Sequence, residues 1–259
     1  MGVYGRKELG ALVLLVAGVA ATGIAISAGA GPVLKSVSMR EDFEKGNLAA
    51  WDFPFAEDWK ILDEGNNRFL HMLRNRPPGV PRRPLQFARL KGTNVGSFDL
   101  RLRVRRGGQS MIAVFNYVDT LHFYYAHLSA DRGAEQPVHN GLFIVNDEPR
   151  KRIAGTEAAP ALPDREWHEV RITRNVPTGS IEVFVDGGRE PLFSVIDHTL
   201  SCGEIGFGSF DETGDFDDIE LKSDDAACVP GSAFRPTKSN QARRVSTAQS
   251  QTASNEELP

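Results

Sequence analysis

The chain has 259 residues, of which 41% are hydrophobic and 25% charged, and a formal net charge of -4 at pH 7. That is ordinary globular composition, and it gives no support for a nucleic-acid partner, which would favour a concentrated basic surface. The length suits one large all-β domain or two small domains.

Arg6 and Lys7 precede an apolar run over residues 9–30, and Ala28-Gly29-Ala30 offers a small-x-small cleavage site before Gly31. This is the order of an export signal. The run is also long enough to span a bilayer, so residues 1–30 are a signal peptide or an uncleaved membrane anchor. Either reading exports the remainder, as a secreted, periplasmic or cell-surface protein. Residues 31–40 read as a spacer.

Glu41–Glu44 opens the folded region, and Gly46-Asn47 marks a turn before Trp51. Trp51, Phe53, Phe55 and Trp59 suit packing better than a ligand platform. Residues 59–62 and 69–73 form a hairpin. Residues 74–84, RNRPPGVPRRP, cannot be a central strand, because proline removes ladder donors. With its four arginines this is an exposed basic loop, usually just solvated surface, with acidic-sugar binding the sharper alternative.

Ser97–Arg105 alternates cleanly. Phe98, Leu100, Leu102 and Val104 share one face, and Asp99, Arg101, Arg103 and Arg105 the other. The arginines can bind carboxylates or sulfates bidentately, or pair with acids on neighbouring strands such as Glu169 or Glu182.

Met111–Ser129 reads as two aromatic-rich strands joined at Val118-Asp119-Thr120. Phe123, Tyr125 and His127 fall on one face, and His122, Tyr124, Ala126 and Leu128 on the other. Neither face is purely polar, which suits a central strand of a two-layer β structure. Short strands then follow at 141–145, 151–154, 167–174, 180–185 and 192–195, separated by turn residues. Gly203–Phe210 is a glycine-rich strand, explained by close strand approach or bulging rather than by a phosphate loop, since no helix follows. Residues 215–221 form the last strand. From 223 to 259 the chain is polar and poor in aromatics, and reads as a disordered tail. The two cysteines, Cys202 and Cys228, can form one disulfide in an exported protein or stay as separate thiols.

Several segments together resemble a known superfamily: Asp42-Phe43-Glu44 with Gly46 and Trp51, HFYYAHLS at 122–129, LPDREWHEVRITR at 162–174, IEVFVDG at 181–187 and GFGSFDETGDFDDIEL at 206–221. In order and spacing they resemble the concanavalin A-like lectin/glucanase superfamily, near its laminin-G-like branch and bacterial domains related to family 16 glycosidases. The resemblance covers residues 41–221. It implies an all-β jelly-roll sandwich of two antiparallel sheets over residues 41–222, a concave face able to hold a glycan, and first and last strands lying side by side. Asp42-Phe43-Glu44 would then lie near Phe216-Asp217-Asp218. The catalytic signature of family 16, E-x-D-x-x-E, is absent, which argues against that glucanase activity.

Two chemistries stay open. Tyr125 and His127 share a strand face, and with Arg101, Arg103 and Asn116 they resemble the proton-transfer and carboxylate-neutralising set of jelly-roll polysaccharide lyases. On that resemblance Tyr125, His127 and Arg103 are candidate catalytic residues. The alternatives are sugar binding by all five, or plain packing. Asp42, Asp215, Asp217 and Asp218 supply the hard oxygen ligands of a structural Ca²⁺, or are simply solvated carboxylates. The expected function is an exported module that binds a polysaccharide or glycoconjugate. A polysaccharide-active lyase or hydrolase, and a cell-surface structural or protein-interaction module, are the alternatives.

Overall fold

The computed structural model divides the chain into two units, Met1–Val33 and Leu34–Pro259. The described residues are Met1, Gly2, 36–224 and Cys228. The expected signal or anchor, apart from Met1 and Gly2, and the expected tail beyond Asp224, apart from Cys228, lie outside them.

In chain order the strands are β1 (Val37–Glu41), β2 (Trp51–Asp52), β3 (Trp59–Glu64), β4 (Asn67–Met72), β5 (Gln86–Leu90), β6 (Phe98–Arg106), β7 (Ser110–Asp119), β8 (His122–Ser129), β9 (Gly141–Asn146) and β10 (Lys151–Ala154). They continue with β11 (His168–Asn175), β12 (Ser180–Val185), β13 (Phe193–Ile196), β14 (Glu204–Ser209) and β15 (Gly214–Ser223). A single 3-10 turn, Ala56–Asp58, precedes β3. The strands form an antiparallel jelly-roll sandwich of two sheets. One sheet of eight runs β13-β12-β11-β6-β15-β4-β3, with β1 also paired to β15; the other, of seven, runs β10-β9-β8-β7-β14-β5-β2.

The expected spacer over 31–40 is corrected at its end. Val37 to Glu41 is a strand, in register from Val37↔Ser223 to Glu41↔Ile219. First and last strands therefore do pair, and the last runs to Ser223 rather than ending at 221. A strand with its alternate side chains in a core needs its ladder satisfied, and β1 closes this edge of β15.

Strict alternation in β6 and β11 decides which way the eight-stranded sheet faces. Leu100, Leu102 and Val104 pair across from Ile172, Val170 and His168. The leucines, Val104, Val170 and Ile172 join Ala113, Phe115, Tyr124, Ala126, Leu128 and Phe207 of the other sheet in one buried cluster. Each valine, leucine, isoleucine and phenylalanine among them contributes roughly 1.5–3 kcal/mol of transfer free energy. The strand β8 lies between β7 and β9, as its composition predicts. Gly206 and Gly208 confirm the close-approach reading. A Cβ on either would lie 2.2 Å from a β5 carbonyl oxygen, that of Ala88 or Gln86.

Candidate functional site

The outward face of the seven-stranded sheet carries a second buried cluster, in which Phe87, Ile112, Val114, Tyr117, Phe123, Tyr125, Phe143 and Phe210 pack together. Both faces of β8 are thus buried. Arg150 closes the outer one. Its guanidinium lies 4.6 Å from the Phe143 ring centre and 4.3 Å from that of Phe210. It donates to Tyr125 Oη (3.1 Å), His127 Nδ1 (3.0 Å) and the Val138 carbonyl (2.7 Å). Arg82, from the proline-rich loop, lies over Phe210 at 4.8 Å, and its carbonyl accepts from the Arg150 amide. The loop is therefore less free than its composition implies. Arg76 pairs with Glu57 and the fully buried Asp58, and the Arg74 carbonyl accepts from Gln86.

Tyr125 and His127 are fully buried. Burial, with Arg150, His139 and Arg82 adding to it, pushes the His127 pKa well below its ordinary value, so the ring is neutral. Burial likewise raises the Tyr125 phenol. A polymer reaching this pair as acid and base has first to displace Arg150 and the rings beneath it.

The other sequence-predicted ligand residues do not converge on them. Arg101 and Arg103 belong to the opposite sheet and point away from the shared core, as their alternation with Leu100 and Leu102 requires. Arg101 reaches Glu169 at 3.4 Å, the neighbour-strand pairing that the sequence offered as the alternative. Arg103 reaches Asp218 at 3.3 Å and lies 4.9 Å from the Trp167 ring centre. Asn116 sits at a register shift of β7 with φ 45°, fully buried, and donates to the Val95 (2.9 Å) and Gly96 carbonyls. Tyr125, His127, Arg101, Arg103 and Asn116 form no common site.

The four acidic residues offered for Ca²⁺ are engaged elsewhere. Asp215 bonds His71 Nδ1 at 2.5 Å and Arg105 Nε at 2.7 Å. Asp217 accepts from Asn67 and from the Asp218 amide, and Asp218 pairs with Arg40 and Arg103. Asp42 accepts from the Glu44 amide. Among the described residues no group of three His, Cys, Asp or Glu is placed to hold a metal ion. Cationic or amide donors lie against all four of these carboxylates. Cys202 and Cys228 are joined in a disulfide with Cα atoms 5.8 Å apart, so one of the two sequence alternatives is realised.

One cleft on the outer face of the seven-stranded sheet remains open, beside the covered cluster. It measures about 310 Å³, at the lower end of small-ligand pockets. Pro54, Phe55, Leu85, Phe87, Tyr117 and Arg89 are among its walls, with Thr120 at the β7–β8 turn. Its chemistry runs along one row of strands. Asp52 of β2 faces Arg89 of β5, Arg89 faces Gly206 of β14, and Glu204 of β14 faces Tyr117 of β7. Arg89 bonds Asp52 through one terminal nitrogen and Glu204 through the other, the latter at 2.9 Å. Its guanidinium lies 4.6 Å from the Tyr117 ring centre. Gly206 offers no side chain opposite Arg89, which leaves the arginine room to lie across β14. A larger depression, about 890 Å³, lies where β1 begins and β15 ends, but its lining includes Ser36 and Asp224, at the limits of the described residues.

Sequence reasoning placed Phe55 in packing and passed over Phe87, Arg89, Tyr117, Asp52 and Glu204. They come from four strands and one loop, and register brings the strand residues together.

No family model matches the chain, and no curated protein matches it. Among solved structures it is similar to the carbohydrate binding module CBM66 from Bacillus subtilis, at 14% identity and a TM-score of 0.49, over 67% of this chain and 96% of that one. It is similar to domain 4 of AbnA, an extracellular arabinanase from Geobacillus stearothermophilus solved with arabinotriose, at 11% identity and a TM-score of 0.46, over 74% of this chain and 93% of that one. It is also similar to the winged bean acidic lectin complexed with methyl-alpha-D-galactose, at 10% identity and a TM-score of 0.44, over 73% of this chain and 98% of that one.

Proposed function

We propose that this chain is an exported carbohydrate-binding module that holds part of a polysaccharide or glycoconjugate in the Phe55–Tyr117 cleft and does not cut it. The observation that carries this reading is the pairing, in one open cleft, of aromatic and apolar walls with Arg89, which Asp52 and Glu204 hold in place from beside the cleft. Sugar rings present apolar C–H faces and a fringe of hydroxyls, and such a wall takes the first while Arg89 and its two carboxylate partners take the second. Two further features support it. The only histidine–tyrosine pair proposed for catalysis is sealed under Arg150, and the disulfide suits an oxidising, exported environment.

The test is a glycan array probed with the detergent-solubilised full chain, together with assays for new reducing ends and unsaturated products. Saturable binding without product formation is the expected result. Phe55→Ala, at a half-buried ring outside both buried clusters, is expected to weaken that binding about tenfold or more, a loss of about 1.4 kcal/mol, with circular dichroism unchanged. Failure to bind any neutral or acidic glycan removes the reading. Release of cleaved product would favour the enzyme alternative.

A further inference from the structure

Arg89, the one charged residue among the described residues that line the cleft, is the natural receptor for an anion, yet the structure leaves it little capacity for one. Both of its terminal nitrogens are taken by carboxylates, Asp52 on one side and Glu204 on the other. Its remaining face lies over the Tyr117 ring. The row therefore carries one positive and two negative charges. Arg89 lines the cleft with its side chain 21% exposed, and the more exposed Asp52 side chain, at 45%, flanks it, so an anion approaching Arg89 also meets carboxylate charge. Glu204 is held from a second direction, since its other oxygen accepts from the Gly92 amide at 3.1 Å. The carboxylates are thus fixed beside the cleft, and carboxylates of this kind accept from hydroxyl donors through charge-assisted hydrogen bonds. A carboxylate or sulfate brought to the same place finds both terminal nitrogens already paired with carboxylates and meets like charge at close range.

We infer that the Asp52–Arg89–Glu204 bridge sets the charge preference of this cleft: it accepts an uncharged, hydroxyl-bearing sugar residue and rejects uronates and sulfated sugars. The inference rests on the glycan-binding reading above and sharpens its ligand class. Arg89 acts here as a strut held between two carboxylates, while Pro54, Phe55 and Leu85 supply the accessible apolar wall. The same geometry implies a switch in specificity. Neutralising the two acids frees the guanidinium, whose planar fork suits carboxylate and sulfate.

The experiment compares the full chain with Asp52→Asn/Glu204→Gln on one array carrying neutral, uronate-containing and sulfated glycans. The wild type is expected to bind neutral glycans at least about tenfold more tightly than anionic ones. The double variant is expected to lose affinity for the neutral set and to gain about tenfold or more for the anionic set. Should the double variant fold poorly, salt dependence of the wild type decides the matter. Binding to a neutral glycan is insensitive to added salt, whereas an anion held by Arg89 weakens as salt screens it. Wild-type binding of anionic glycans as tight as neutral ones, or an unchanged preference in a folded double variant, overturns the inference while leaving glycan binding intact. No binding to any glycan overturns both readings.

Discussion

Arg150 donates to His127 Nδ1 at 3.0 Å, and this contact determines the tautomer of a fully buried imidazole. A guanidinium only donates, so Nδ1 must accept, and the ring proton sits on Nε2, facing Ser110 Oγ at 2.9 Å. The chain Arg150–His127–Ser110 therefore has every polar atom of the ring satisfied with the ring neutral. This is why a strand rich in reactive side chains works as a second core.

Arg150→Met is expected to destabilise the fold by about 2–4 kcal/mol. It removes the donor to Tyr125, His127 and Val138 together with two cation–ring contacts. Urea unfolding with an unchanged slope measures it. A change below about 0.5 kcal/mol, the ordinary surface value, would show that Arg150 is not the cover described above.

Stability is expected to fall on mild acidification because of His127. Its folded pKa lies well below its unfolded one, so the unfolded chain binds more protons as pH drops below about 6.5. The contribution is fully present above that value and is lost on acidification, by at most about 1.4 kcal/mol per pH unit. Burial raises the Asp217 carboxyl and acts with the opposite sign nearer the carboxylate range, so the window to examine is about pH 5–7. His127→Gln, which can still accept from Arg150 and donate to Ser110, should flatten the slope there. An equally steep slope in the variant would assign the effect to another group.

Gly208→Ala tests the fit between β14 and β5. The added methyl would lie 2.2 Å from the Gln86 carbonyl oxygen and 2.5 Å from Phe87 Cα, both backbone atoms that cannot swing aside. A loss of about 3 kcal/mol is expected, at the upper end for overpacking, read as a lower melting temperature. Because Phe87 also lines the cleft, glycan binding should weaken in the same variant. Unchanged melting would mean that the two strands sit further apart.

Removing the disulfide by Cys228→Ser opens a 26-residue separation between the bonded cysteines. The chain-entropy relation for a loop of that size gives a destabilisation of about 3 kcal/mol. Chemical reduction of the wild type should reproduce the loss, and reduction of the variant should do nothing more. A reduced wild type as stable as the oxidised form would mean that the bridge is energetically idle.

The sequence by itself determined the class of fold and the facing of its best strands. Alternation over residues 98–105 and 168–174 is a period-two signal written in neighbouring residues, and the observed sheet obeys it, with Leu100, Leu102, Val170 and Ile172 in and Arg101, Arg103 and Arg171 out, although the inward face of β11 also carries the buried Arg174. The glycines of β14 likewise announced a close strand approach. Only the tertiary structure decided that the second face of β8 is covered, because its cover comes from Arg82, Arg150 and Phe210, distant along the chain and with no local signature. The start of β1 was missed for a related reason: it is a strand because β15 supplies its ladder, 178 to 186 positions away. The candidate site follows the same rule. Tyr125 and His127 stood out because local sequence made them conspicuous, whereas Asp52, Arg89, Glu204 and Tyr117 became a site through register between β2, β5, β14 and β7. Side-chain period is a property of adjacent residues, but convergence is a property of pairing, and pairing is settled by burial and ladder satisfaction across the whole domain.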